Sequence, residues 1–208
     1  MSEDIRKMID KVKNFNQFIN ENVDFEQNIQ FIFNTYPSLS KIGTIKQYKE
    51  YLDNIFPNSV EKNIWYHGTN VNPNEIKMLK PSKSGTYGFG IYLQSKQGKY
   101  YTGTFGENII AVVVDVDKIF DFDKYGKQVI DTLREKYKNM GGLGDNTMIA
   151  LQNHIRTEEY DSIIKSNSDD KYLLLIGSVK KMFEPNHHIL GTEQDVKMFS
   201  EFVKNKHL

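Results

Sequence analysis

Glycine and tyrosine are concentrated in the stretch GTYGFGIYLQSKQGKYY, residues 85–101, which holds four of each in seventeen positions. Glycine loses more conformational entropy than other residues on folding, and a buried tyrosine needs a partner for its hydroxyl. On spacing alone, the stretch is a flexible turn that enters a short strand. It lacks the GxGxxG pattern, and GGLGDN (141–146) is not followed by Lys and Ser or Thr, so neither predicts a phosphate-binding loop.

His67 is a second candidate, near the end of the apolar segment IWYHG (64–68). A histidine at this place is usually only a polar strand end. It becomes a candidate for ligand binding because Gly68 follows it, and a glycine lets a ligand approach the backbone closely. His187 and His188 are adjacent, so as strand residues they would point to opposite faces. With no HExxH motif and no cysteine nearby, we expect no metal site.

The composition excludes several classes of protein. The 27 basic side chains balance the 27 acidic ones, which disfavours an extended nucleic-acid groove. The absence of cysteine excludes disulfides, thiolate nucleophiles and cysteine zinc ligands. No apolar run approaches the length of a membrane span, and the N-terminal MSEDIRKMID does not resemble a signal peptide. We therefore expect a cytoplasmic protein with no membrane partner.

Helical periodicity dominates the N-terminal part of the chain. Apolar residues recur at helical spacing from Ile5 to Ile19, and a second helix fits residues 25–36, before Pro37. The segment PSLSKIG that follows is predicted to be a linker. Thr44 and Gln47 have the spacing of a capping box, which predicts the start of a third helix that ends before Pro57.

The remainder of the chain alternates between strand and helix patterns. Strands are predicted by runs of β-branched and aromatic residues at 64–68, 108–116, 161–165 and 172–176. Helices are predicted at 127–137, after Asn146, and after Thr192, which is expected to cap the last one. Helices come first and a mostly antiparallel set of strands follows, so the predicted fold class is α+β.

Three motifs in order carry a family resemblance: YHGT, then GFGIYLQ about twenty residues later, then SKQGKYY. This series resembles the poly(ADP-ribose)-polymerase-like, diphtheria-toxin-like branch of the ADP-ribosyltransferases, of bacterial or phage type. The resemblance runs from about Lys41 to the C-terminus. It divides the chain into an N-terminal helical extension (1–40) and an ADP-ribosyltransferase-like domain (41–208), which implies a split β-sandwich with helices.

The resemblance implies that NAD is a substrate bound by residues of these motifs, namely His67, Gly68, Thr69, Gly90, Tyr92, Gln97 and Tyr100. It implies that His67 hydrogen-bonds the adenosine-side ribose and that Gly68 holds the nicotinamide carboxamide through its backbone. Tyr92 and Tyr100 would flank the nicotinamide ring, and Gln97 would stand where the family has a small hydroxyl residue. As a cleft residue, Tyr92 is expected to support little of the core.

The family's third catalytic residue is a glutamate that opens a late strand, where KYLLLI places Lys171. We expect Asp170 to supply the acid, with Glu158 and Glu159 as alternatives. A shift of one residue turns a strand side chain to the other face, so Asp170 can act only if a bulge or loop restores its direction. A second alignment, through FEPNHHILG, moves the position to about Val179 and finds no acid.

The function implied is mono-ADP-ribosyl transfer, in which the nicotinamide–ribose bond of NAD breaks through an oxocarbenium-like transition state. The ADP-ribose would pass to a macromolecular acceptor, expected to be a protein. Two alternatives remain: a catalytically inactive NAD-binding or interaction module of the same fold, and an NAD glycohydrolase with water as the acceptor.

Overall fold

The computed structural model of the protein describes residues 25–82, 85–96, 106–166, 170–177 and 186–206. The chain forms two compact units. The helical unit comprises Met1–Asp53 with Glu193–Leu208, and the sheet unit comprises Asn54–Thr192. The division at residue 40 that the resemblance implies stays a prediction, and the helix predicted around Ile5–Ile19 lies outside the described residues.

The described residues contain six α-helices and seven strands. The helices are α1 (25–35), α2 (Pro37–Ser40), α3 (Ile45–Ile55), α4 (Lys127–Tyr137), α5 (Thr147–Thr157) and α6 (Glu193–Asn205). The strands are β1 (Trp65–Thr69), β2 (Ile91–Gln94), β3 (Asn108–Val114), β4 (Ile119–Asp121), β5 (Ser162–Ser166), β6 (Lys171–Leu175) and β7 (His187–Ile189). The α+β class is confirmed.

The capping box predicted for α3 is present. The backbone N–H of Thr44 donates to Oε1 of Gln47 at 2.9 Å, and the N–H of Gln47 donates to Oγ1 of Thr44 at 3.3 Å. Two N–H groups at the start of the helix thus gain partners. The prediction of a linker from Pro37 onward is wrong for its first four residues. Residues 37–40 form the short helix α2, which begins with proline.

A buried carboxylate organises the core of the helical unit. Asp195 of α6 has no exposed surface and accepts hydrogen bonds from the hydroxyls of Tyr48 (2.6 Å) and Tyr51 (2.8 Å), both on α3. The ring of Phe199 packs edge-on against Tyr48 at 4.9 Å between centroids. Burial, followed by the charge of Asp195, raises the pKa of both tyrosines, so the hydroxyls remain donors.

We expect Tyr48→Phe and Tyr51→Phe each to lower the free energy of unfolding by about 1.5–3 kcal/mol, because each removes a hydrogen bond to a buried charged group. Urea denaturation measures the effect. Tyr36→Phe is the matched control: Tyr36 lies close enough to Asp195 for that charge to contribute to its raised pKa. If Tyr36→Phe lowered the free energy of unfolding as much as Tyr48→Phe does, the hydrogen bonds to Asp195 would not be what stabilises this core.

The strands of the sheet unit lie in one sheet of order β4-β5-β6-β2-β1-β3-β7. All neighbours are antiparallel except β4 and β5, which are parallel. The strand β4 has three residues, too few to give a pattern, and it is not predicted from the sequence. The two pairings of β1 differ in length. All five residues of β1 pair with β3, but only Tyr66 pairs with β2, opposite Gln94.

The two faces of this sheet carry separate apolar clusters. On the first face lie mainly side chains of the central strands: Trp65, Ile91, Leu93, Ile110, Val112, Val114, Leu173, Leu175 and Ile189, with Leu79 packed against them. On the second face, Ile163 and Leu174 pack with Leu133 of α4 and with Leu151 and Ile155 of α5. The sheet is therefore buried on both sides, and its strands are accordingly rich in β-branched residues and leucine.

Candidate active site

We call the line along which β1 and β2 meet the β1–β2 seam. The strand pairing along this seam is missing at the residues that the sequence marks for ligand binding. Past the pair Tyr66 and Gln94, the register pairing of the two strands does not continue to His67 and Gly68. Both residues are half-buried, and both remain paired with β3. Thr69, the last residue of β1, accepts a hydrogen bond from the N–H of Val71 through Oγ1 at 3.1 Å.

In the open part of the seam, the ring of His67, rather than a backbone N–H, donates to the carbonyl of Tyr92. Its Nδ1 lies 2.9 Å from the carbonyl oxygen of Tyr92. A carbonyl oxygen only accepts, so Nδ1 carries the proton and donates it. In the neutral ring, Nε2 is then an acceptor. This second nitrogen has no hydrogen-bond partner among the residues that the structure describes.

The rings of His67 and Tyr92 lie on opposite faces of the sheet. Opposed residues of an antiparallel pair point to the same face, and successive residues of a strand alternate. Since Tyr66 lies opposite Gln94, Tyr92 points with Tyr66 to the second face, while His67 points to the first. The structure therefore joins the two predicted site residues through a backbone carbonyl and does not bring their rings together.

The side chain of Tyr92 forms hydrogen bonds with the turn that precedes β2. Its hydroxyl donates to the carbonyl of Gly88 at 2.7 Å and accepts from the N–H of Tyr87 at 3.1 Å. The ring packs on the second-face cluster, and burial raises the pKa of its hydroxyl. The expectation that Tyr92 supports little of the core is wrong, because both its ring and its hydroxyl are used in packing the turn.

Gln152 of α5 fixes the same turn from the second face. Its Nε2 donates to the carbonyls of Tyr87 (2.9 Å) and Phe89 (2.8 Å), and its Oε1 accepts from the N–H of Phe89 at 3.2 Å. Gln152 is 1% exposed, so its amide depends on these three bonds for partners. Nothing in the sequence around Gln152 marks it, since its partners lie more than sixty residues away.

The glycines of this turn make room for the protein's own side chains. Gly88 has a φ of +97°, and a Cβ there would lie 2.6 Å from the amide carbon of Gln152. Gly90 has a φ of +152°, and a Cβ there would lie 2.4 Å from the carbonyl oxygen of Leu175. At both positions, backbone conformation and close approach together require glycine.

Lys171 is the first residue of β6 and Asp170 precedes it, and both lie beside Ser95, the residue that follows β2. Oδ1 of Asp170 accepts from Oγ of Ser95 at 2.7 Å and from the N–H of Lys171 at 2.8 Å. Asp170 precedes the strand, so its direction is set by a loop and by Ser95 rather than by strand alternation. Lys171 is exposed, and its carbonyl accepts from the N–H of Ser95 at 2.9 Å; strand alternation points its side chain to the first face, as it does that of His67.

The other candidate acids lie elsewhere. Glu158 and Glu159 are exposed and precede Ser162, whereas Lys171 lies opposite Ser166, at the far end of β5. Asp161 is 4% exposed, and its carboxylate accepts from two backbone N–H groups ahead of β4. Val179, Gln97 and Tyr100, which the resemblance also involves, lie outside the described residues.

A buried histidine that the sequence left unassigned lies on β7. His187 is 7% exposed, and its Nε2 accepts from the N–H of Leu79 at 2.9 Å. Burial, and then the charges of His67 and His188, lower the pKa of His187 to about 4. The ring is thus neutral at physiological pH and ties the segment before β2 to the edge of the sheet.

No protein-family model and no curated protein matches the chain. Among solved structures, one described as the crystal structure of an anti-CRISPR protein is similar over 61% of this chain and 93% of its own length. Its identity is 12% and the TM-score is 0.34, a similarity too low to carry an argument. Across the described ranges, no helix could span a membrane and no cluster of three metal-ligating side chains occurs.

We expect Gln152→Met to lower the free energy of unfolding by about 2–4 kcal/mol, because it leaves buried carbonyl and N–H groups of the turn without partners. Asn153→Met, at the exposed neighbouring position of α5, is the matched control and should cost little. Chemical denaturation measures both, and amide hydrogen exchange at Phe89 reports on the turn. Equal costs in the two variants would contradict the role given to Gln152.

The lowered pKa of His187 predicts a loss of stability in acid. The unfolded chain takes up the proton near pH 6.5 and the folded chain only near pH 4, so stability falls as pH decreases across this window. The loss in the free energy of unfolding amounts to at most about 3.5 kcal/mol, at about 1.4 kcal/mol for each pH unit.

The variant His187→Gln keeps an acceptor near the position of Nε2 but does not titrate, so the loss of stability between pH 6.5 and 4 should be smaller. Thermal unfolding over this pH range measures the difference. His154→Gln, an exposed histidine on α5, serves as the control and should follow the wild type. Parallel curves for all three proteins would show that His187 does not control the acid response.

Proposed function

We propose that the sheet unit is an NAD-dependent mono-ADP-ribosyltransferase that binds NAD along the open part of the β1–β2 seam. One observation carries the proposal. The ladder between the two strands stops at His67 and Gly68, the residues that the resemblance assigns to the adenosine-side ribose and to the nicotinamide carboxamide. A ligand can reach backbone groups only where a ladder is open, and glycine adds no side chain to block it.

The tautomer of His67 suits a ribose hydroxyl. With the Nδ1 proton donated to the carbonyl of Tyr92, the lone pair of Nε2 can accept a hydrogen bond from a hydroxyl group. The same bond fixes the orientation of the ring before any ligand arrives, which reduces the entropy lost on binding. His67 thus has the properties of a preorganised acceptor at the rim of the seam.

The arrangement of strands also supports the proposal. The blocks β4-β5-β6-β2 and β1-β3-β7 are each joined by pairs of three or more residues, and one register pair joins the blocks. We take these blocks as the two halves of the split β-sandwich that the resemblance implies. NAD would lie where the halves separate, and a ligand that contacted both His67 and Tyr92 would pass through the open seam.

In the proposed reaction the C–N bond between ribose and nicotinamide breaks, and its electron pair leaves with nicotinamide. The carboxylate of Asp170, held by Ser95, would stabilise the positive charge that develops on the ribose. An acceptor from the target then bonds to the anomeric carbon. Water in place of that acceptor would make the protein an NAD glycohydrolase.

A catalytically inactive NAD-binding module is the second candidate, and Lys171 favours it. A lysine stands at the position where the family has glutamate, and its exposed side chain points to the same face as His67. An ammonium group at 4 Å from a developing cation would oppose it by roughly 4 kcal/mol at an effective dielectric near 20. The inactive module would bind NAD but release no nicotinamide.

The test uses the full chain with NAD labelled in the nicotinamide or in the adenylate, together with a cell lysate. We expect nicotinamide to be released and adenylate label to enter macromolecules. We also expect NAD to raise the melting temperature by ligand linkage. Release without incorporation would indicate a glycohydrolase, and stabilisation without release an inactive module. No stabilisation at millimolar NAD would contradict the proposal altogether.

The variant His67→Asn separates ligand binding from folding. Asparagine can still donate to the carbonyl of Tyr92 but has no group at the position of Nε2. We expect the unliganded melting temperature to change little and the affinity for NAD to fall about tenfold, which corresponds to one hydrogen bond of about 1.4 kcal/mol. His154→Asn is the control on an exposed helical face, and unchanged NAD affinity in His67→Asn would remove the residue from the site.

A further inference from the structure

We propose that a groove between α4 and α5 binds a segment of a partner protein, and that this segment is an acidic helix with an apolar stripe. The two helices flank a cavity of about 410 Å³, lined by ten residues between Leu133 and Thr157, which we call the α4–α5 groove. Both helices pack on the second face of the sheet and contribute no residue to the β1–β2 seam, so the groove is separate from the proposed NAD site.

The groove is elongated, because a single stripe of side chains forms its wall on α5. This stripe runs from Asn146 to Thr157 at positions i, i+3, i+4, i+7, i+8 and i+11, which share one face of a helix. At a rise of about 1.5 Å per residue, it is about 16 Å long. The opposite wall comes from Leu133, Lys136 and Tyr137 of α4. A groove of this length matches about three turns of a docked helix.

The middle of the groove is apolar. Ile149 is half-buried and lines the groove, yet it belongs to neither of the two apolar clusters of the sheet unit. Tyr137, Leu143 and Ala150 pack against the second-face cluster and are also only half-buried, so part of their surface lines the groove. Apolar side chains of a partner at helical spacing would remove this surface from water.

The polar part of the groove favours an anionic partner. None of the ten lining residues is acidic, and Lys136 adds a positive charge. The side chains of Lys136, Asn153 and His154 are exposed and form no hydrogen bond or ion pair with the residues that the structure describes. Other charged residues of α4 are paired along the helix, Asp131 with Arg134 and Glu135 with Lys138. Carboxylates beside the apolar stripe of a partner would therefore find a cation and free amide donors.

The groove is formed before a partner arrives. The opposite face of α5 is fixed by Leu151 and Ile155 in the second-face cluster and by the three hydrogen bonds of Gln152 to the turn before β2. On α4, Leu133 is buried in the same cluster. Little backbone freedom is then lost when the groove is filled, which favours binding of a short segment.

A selection of peptides tests the site without a known partner. Random peptides of about 16 residues, long enough to form a helix, are displayed on phage and selected on the full chain and on Asn153→Glu, which places a negative charge in the groove. We expect the peptides that only the wild type retains to carry aspartate or glutamate together with large apolar residues three and four positions apart. Gln128→Glu, on an exposed part of α4 outside the groove, is the matched control and should retain the same peptides.

A selection that yields no peptide able to distinguish the wild type from Asn153→Glu would overturn the inference. Peptides rich in lysine or arginine would overturn it as well, since they contradict the charge of the groove.

Affinities then test the role of each wall with a fluorescein-labelled synthetic copy of a selected peptide. We expect Lys136→Glu to weaken binding at least about tenfold and Ile149→Ala about fivefold, whereas Lys127→Glu, an exposed lysine of α4 outside the groove, changes it less than about twofold. Fluorescence anisotropy measures the binding, and thermal unfolding confirms that each variant is folded. Equal weakening by the two lysine variants would show that the groove does not read charge, and the inference would fail.

A second copy of the chain is the competing occupant. Sedimentation distinguishes it: a wild type that is dimeric and an Asn153→Glu variant that is monomeric would make the groove a self-association surface and overturn the inference. We expect both proteins to sediment as monomers and to bind NAD equally. Absence of NAD binding in both would contradict the proposed function and leave the peptide site standing.

Discussion

The single register pair between Tyr66 and Gln94 is the constraint on which the sheet unit depends. An antiparallel ladder normally continues while both strands remain extended, because each further pair satisfies two more peptide groups. Here the ring of His67 occupies the carbonyl of Tyr92, and the pairing ends. The sheet stays continuous, but two well-paired blocks of strands meet at one point, and a glycine stands at the edge of the opening.

Each side of this opening is held by different forces. On the second face, Tyr92 and Gln152 satisfy the polar groups of the turn that leads into β2, and their partners are almost entirely backbone groups. On the first face, the apolar cluster around Leu93 and Leu173 anchors the strands that carry His67 and Lys171. The first-face cluster contains side chains from both blocks of strands, so apolar packing crosses the seam where strand pairing is missing.

The sheet and the loop before β6 also determine the directions of the two charged side chains at the start of that strand. Asp170 lies outside the strand, and the hydroxyl of Ser95 together with a backbone N–H orients its carboxylate. Lys171 lies inside the strand, and alternation decides its face. Two adjacent residues of opposite charge thus obtain their directions from different causes, one from a loop and one from the sheet, and both come to lie beside the end of β2.

The sequence by itself determined the fold class and the longer helices and strands, but not the short elements α2 and β4. Local patterns are enough to place the capping box of Thr44, the helix α4 and the strands around His67 and Leu173, because periodicity and capping act within a few residues. The motifs at His67 and Gly90 also mark the seam. Only the tertiary structure decided which faces the side chains take, since register fixes that choice across strands distant in sequence. It also showed Tyr92 packed against the second-face cluster and Gln152 on the turn, because their partners meet only after the chain has folded.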